Sequence, residues 1–162
     1  MTQRRHLARD RVHLLERRAQ QPQALKPIGL WYEVDRDWQR WCSIEHFRLG
    51  PFWGYELELD LDKILVLRTP QDLDRFTDEF GSDGSLGVGV TYIAWARVAE
   101  RWGGIEIAPY QWERRLAFGM LWYYGWDCAS GCIWEPTVIT RWEFCGMVTV
   151  SAADVPTELA SP

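Results

Sequence analysis

Tryptophan restricts this chain more than any other feature: 11 of its 162 residues are tryptophan. Each indole carries a large rigid apolar surface and one N–H donor, so it belongs in a core or under a flat ligand. Two stretches concentrate them. The first, 26–41, holds Trp31, Trp38 and Trp41; the second, 122–134, holds Trp122, Trp126 and Trp134. With 47% hydrophobic residues the chain can enclose such side chains. Any chemistry is expected where the two stretches meet.

Length favours one domain, expected over 1–150, with a small, polar, flexible tail over 151–162. The longest apolar runs, such as Ile64-Leu65-Val66-Leu67, fall far short of the ~20 residues needed to span a bilayer, so no membrane is expected. The opening MTQRRHLARDRVHLLERR lacks the apolar run of a secretory signal. The expected setting is therefore cytoplasmic, with Cys42, Cys128, Cys132 and Cys145 as free thiols. Cys42 with His46, and Cys128 with Cys132, fit zinc spacings only loosely; a buried thiol explains Cys132 more simply, and no metal is expected. A net charge of -5 argues against bulk binding to DNA. Charge is uneven, however. Arg4, Arg5, Arg9, Arg11, Arg17 and Arg18 crowd the start against Asp10 and Glu16, as a solvated helix face or as a surface for a phosphate-bearing ligand.

Residues 8–20 are readable as a short helix or, over Arg11-Val12-His13-Leu14-Leu15, as a first strand. Leu30-Trp31-Tyr32-Glu33-Val34 is β-prone. Asp37 is placed to N-cap a helix carrying Trp38 and Trp41 on one face. Gly50–Gly54 reads as a turn, and Tyr55–Asp60 alternates with period two, the strongest strand signal in the chain. Ile64–Leu67 is a further strand. Thr69-Pro70-Gln71-Asp72 starts a helix with Leu73, Phe76 and Phe80 on its inner face, ending at Gly81. Gly81–Gly89 is a loop, and its phosphate-binding reading is weak because no lysine follows the glycines. A helix over Tyr92–Trp102 and strands over 105–107, 132–134 and 138–144 complete the pattern. It is an α+β class: a small split sheet, antiparallel or mixed, flanked by helices.

The segments KPIGLWYE, YELELDLDKILVL, WARVAERWGGIEI and WDCASGCIW, in this order, resemble the ADP-ribosyltransferases, in particular their compact phage-type members. The likeness covers roughly residues 10–135. It implies a fold of that kind, with NAD as substrate and ADP-ribose passed to a protein or nucleic-acid acceptor. It also implies roles. The family's first strand supplies an arginine or histidine for the NAD ribose, matched by His13 with Arg11 beside it. The second strand supplies a group near the nicotinamide, matched by Tyr32 with Trp31 for stacking. A later turn supplies the carboxylate that stabilises the ribosyl cation, matched first by Asp127 and second by Glu106, with Ser130 lining the same turn. The family's Glu-x-Glu pair is absent from 122–134.

The chemistry stands without the family. Breaking the bond to nicotinamide builds positive charge on the ribose, and a preorganised carboxylate lowers that barrier. A plainer reading stands beside it. His13 serves as a surface histidine, Asp127 as a turn cap, and the aromatic residues grip a partner as those of a non-catalytic binding or inhibitor protein. Geometry separates the two. The enzyme needs His13, Tyr32 and an acid around one cleft; the binder needs tryptophans on an open face.

Overall fold

A computed structural model describes residues 2–13, 15–83 and 91–152. Its elements are β1 (Arg4–Ala8), β2 (Leu30–Val34), α1 (Asp37–Ile44), β3 (Gly50–Leu59), β4 (Ile64–Leu67), α2 (Pro70–Phe80), β5 (Gly81–Asp83), β6 (Thr91–Ile93), α3 (Trp95–Ala99), β7 (Gly104–Ile107), α4 (Leu121–Tyr124), β8 (Ser130–Ile133) and β9 (Ile139–Val150). Seven strands form one mixed sheet in the order β4-β7-β8-β2-β1-β3-β9, while β5 and β6 make a separate ribbon. Only β4 and β7 run parallel; the other neighbours are antiparallel. The α+β expectation is met.

Local signals account for the best-formed elements. In α2 the Thr69 side chain accepts from the Asp72 N–H while Asp72 reaches back to the Thr69 N–H, a complete capping box with proline at the first turn. Leu73, Phe76 and Phe80 are buried on its inner face. The alternation of Tyr55–Leu59 buries Tyr55 and Leu57 and leaves Glu58 exposed. The core answers the tryptophan question in large part. Trp95 lies 6.2 Å from Trp122 and 6.3 Å from Trp134, with Phe76 at 5.2 Å from Trp122. Their N–H groups are satisfied too: Trp95 donates to the Ala24 carbonyl, Trp122 to Thr77 and Trp134 to the Trp102 carbonyl. Fully burying one such side chain contributes about 1.5–3 kcal/mol.

The sheet parts in its middle. β1 pairs with β2 only at Arg4↔Val34 and Arg5↔Glu33. Beyond that point β1 stays with β3 through Ala8↔Trp53, and β2 stays with β8 through Leu30↔Ile133. The two strands diverge like a fork, and the His6 ring bridges the gap to the Trp31 carbonyl at 2.6 Å, where a backbone bond would otherwise lie.

Several expectations are corrected. The first strand is Arg4–Ala8, not 11–15; the bonds of β1 come from β2 and β3, which local composition does not report. Asp37 is the first helical residue of α1, and Arg36 occupies the cap with φ of 64°. Gly50–Gly54 opens β3 rather than turning, because β9 pairs with it from Val150 onward. The helix expected over 92–102 shrinks to Trp95–Ala99, since Thr91–Ile93 pairs with Gly81–Asp83. The strand expected at 132–134 is Ser130–Ile133, and the last strand runs over Ile139–Val150. The glycine-rich stretch 84–89 and the tail from 153 lie outside the described residues. No described helix is long and apolar enough to cross a membrane.

Candidate functional site

The two tryptophan-rich stretches do come together, and they do so at the fork. A cavity of about 480 Å³ is lined there by His6 from β1, Trp31 and Tyr32 from β2, and Trp126, Asp127 and Ser130 from the turn into β8. Trp31 and Trp126 meet edge to face at 4.8 Å. A hollow of similar size between α2 and residues 118–120 offers Asp74 and Asp78, but Arg114 already binds Asp74 through two hydrogen bonds.

Asp127 stands at the centre of a tight turn. The Cys128 N–H donates to the Trp126 carbonyl at 2.7 Å, closing a three-residue loop around Asp127 at φ of 62°. Such a turn is uncommon and strained, though aspartate tolerates the left-handed region better than most residues. The turn is held from outside: the Asp37 carboxylate accepts from the Ala129 N–H at 2.7 Å. The Asp127 carboxylate is 29% exposed, with the Arg115 guanidinium at 3.6 Å. It is thus open to a ligand yet fixed in direction. Ser130 is buried and its hydroxyl donates to the Cys128 carbonyl, so it braces the same turn.

Tyr32 is positioned by a glycine. Glu106, Gly131 and Tyr32 stand in register on three adjacent strands. The Tyr32 ring lies over Gly131, whose missing Cβ would fall 2.2 Å from the ring. The hydroxyl thereby reaches Glu106 at 2.9 Å. Burial, then the Glu106 charge, push the Tyr32 pKa far above its ordinary value, so the hydroxyl stays a donor. Gly131→Ala is expected to cost about 1–3 kcal/mol through this overlap, measured by urea unfolding. An unchanged midpoint would show that the ring can move aside.

Glu106 is not on the cavity. It is buried, and Arg4 grips it twice, through Nε at 2.5 Å and a second guanidinium nitrogen at 2.9 Å. With Tyr32 as a third donor its oxygens are occupied, and the fold does not bring it to the cavity that Asp127 lines. His13 and Arg11 do not line the cavity either. Both are exposed outside the strands, and the Arg11 guanidinium lies 5.8 Å from the Trp53 ring, away from the cavity.

A different histidine, His6, lies on the first strand and on the cavity wall. Burial lowers its pKa below the ordinary 6.5, partly offset by the bond to the Trp31 carbonyl. Because a carbonyl only accepts, Nδ1 carries the proton and Nε2 keeps a lone pair. The sign for stability follows. Below pH 6.5 the unfolded chain takes up a proton that folded His6 resists, so stability falls as pH drops through this window. The slope reaches at most about 1.4 kcal/mol per pH unit for one proton. Urea midpoints across this range should slope less steeply in His6→Gln; identical slopes would remove His6 as the titrating group.

Glu33 closes the fork. Its two oxygens accept from the Gln39 N–H at 3.1 Å and from the Gln39 side-chain amide, so it anchors the first turn of α1. Burial raises its pKa. Sequence reasoning missed His6, which belongs to no local pattern, and Glu33, whose strand is legible but whose partner Gln39 is set by the start of α1. Among the described residues no three His, Cys, Asp or Glu side chains converge as a metal site, and all four cysteines are free. Comparison with family models, curated proteins and solved structures returns no match.

Proposed function

We propose that the fork cavity binds NAD and that the chain is an NAD-dependent ADP-ribosyltransferase acting on a protein or nucleic-acid acceptor. One observation carries this reading. Strands β1 and β2 and the turn before β8 bring a histidine (His6), an aromatic pair (Trp31 and Trp126) and a carboxylate (Asp127) to a single cavity. Those are the three kinds of group that the family resemblance implies, with His6 standing in for His13 and Trp126 beside Trp31. The strained turn at Asp127 adds to it, because strain of this kind gathers at functional sites.

In this reading the nicotinamide ring stacks against Trp31 and Trp126, which exclude water from the reacting bond. The His6 Nε2 lone pair accepts from a ribose hydroxyl. The C1′–N bond breaks, nicotinamide leaves with the bonding electrons, and Asp127 faces the cation that develops on the ribose. An acceptor nucleophile then bonds to C1′ and gives up its proton to solvent. The test is NAD binding by calorimetry, for wild type and Trp31→Ala. Binding that weakens at least about tenfold in the variant is expected if the ring stacks there. Equal binding, or none, contradicts the site.

A second reading rests on a separate feature. Trp112, Leu116 and Phe118 are 65%, 81% and 86% exposed, with Leu121 and Tyr124 also open. Such a patch suits a non-catalytic binding protein. Most of the tryptophans, however, serve the core instead of this face.

A further inference from the structure

The charged groups around the cavity do not balance. Arg5 is engaged by Glu56 at 3.1 Å, Glu33 is bonded to Gln39, and Asp127 faces Arg115. His6 is held by the Trp31 carbonyl. Two groups remain, and both are cations: Lys26, just before β2, and Arg48, in the loop after α1. Neither makes an ion pair or a side-chain hydrogen bond among the described residues; Arg48 only lies against the Phe47 ring at 5.5 Å. So a chain of net charge -5 presents two unpaired cations to one cavity.

Lys26 is also placed, not merely present. Gly125 has no Cβ, and one built there would lie 2.9 Å from Lys26 Cε, so the lysine stem crosses this glycine. The crossing sets Nζ 5.1 Å from the centre of the Trp31 ring. Lys26 and Arg48 are both exposed residues; partial desolvation still lowers the Lys26 pKa, with Asp127 opposing that shift. An ammonium held beside an aromatic wall with no carboxylate bonded to it lacks the partner that partly desolvated charges usually have.

We infer that Lys26 and Arg48 bind the phosphate part of the cavity's ligand, and so select a phosphorylated, ring-bearing molecule over its uncharged nucleoside. A nucleotide fits both halves, its flat ring on the indoles and its phosphates on the two cations. With NAD as the ligand the anion is its pyrophosphate; to that extent the inference rests on the proposed function, but the anion site itself does not.

The experiment separates the two. Inorganic pyrophosphate is titrated into the full chain by calorimetry at low salt, for wild type, Lys26→Gln, Lys26→Arg and Arg48→Gln, with melting temperatures as the check on folding. NAD turnover is measured on the same proteins. Pyrophosphate is expected to bind wild type, to weaken at least about tenfold in Lys26→Gln, and to be retained in Lys26→Arg. Added salt should weaken it as well. Where NAD is turned over, Lys26→Gln should raise KM with kcat preserved. Pyrophosphate binding that depends on Lys26 without any NAD turnover upholds the anion site and removes the transferase reading. Turnover that is indifferent to Lys26→Gln and Arg48→Gln overturns the anion site and leaves the transferase reading standing. Absence of pyrophosphate binding to wild type also overturns it.

Discussion

Asp127→Asn should lower the rate of nicotinamide release by ~10²–10³ while leaving the fold almost untouched. The two halves of this expectation have separate causes. Asparagine matches aspartate in size and is among the few residues that accept φ near 62°, so the turn around position 127 survives. The Arg115 contact at 3.6 Å is partly solvated, so losing it costs no more than about 1 kcal/mol. The charge, in contrast, is what the proposed function sets against a developing ribosyl cation. Nicotinamide release and thermal melting on the same preparation check both halves. A variant that melts normally and reacts normally would show that Asp127 only shapes the turn.

Removing the other candidate acid should do the opposite. Glu106→Ala strips the partner from Arg4, whose side chain is 12% exposed, and leaves the buried Tyr32 hydroxyl without its acceptor. Breaking one side of a buried pair costs about 3–5 kcal/mol. For a chain of this length that is a fall of roughly 6–20 °C in Tm. Glu106→Gln should fall less, since it keeps an oxygen for one of the two donors. If Glu106→Ala instead melts like wild type and loses turnover, the acid has been assigned to the wrong strand.

What could be read in advance was whatever is local. The capping box at Thr69 and Asp72 lies within four residues, and the alternation of Tyr55–Leu59 within five, so α2 and the centre of β3 announce themselves. The turn at Asp127 is legible for the same reason: the aromatic run before it and the small residues after it are adjacent in the chain. β1 was not legible. Arg4-Arg5-His6-Leu7-Ala8 has weak strand character, and its pairing comes from Glu33–Val34 and Trp53–Glu56, far along the chain. The nearby Val12-His13-Leu14 run looked more like a strand, which moved the expected histidine seven places from His6. Glu106 drew attention as an acid beside a strand, and only the folded chain reveals that Arg4 has claimed it. The fork has no sequence signature at all, because it arises from which neighbours β1 and β2 keep after they part.

The most direct measurement is the appearance of free nicotinamide when the wild-type chain is incubated with NAD, compared with Asp127→Asn and His6→Ala at matched folded concentrations. The predicted result is nicotinamide released in step with NAD consumed, slowed by ~10²–10³ in Asp127→Asn and slowed also in His6→Ala. No release above buffer, with no heat of NAD binding to the wild type, would contradict the assignment of the fork cavity to NAD.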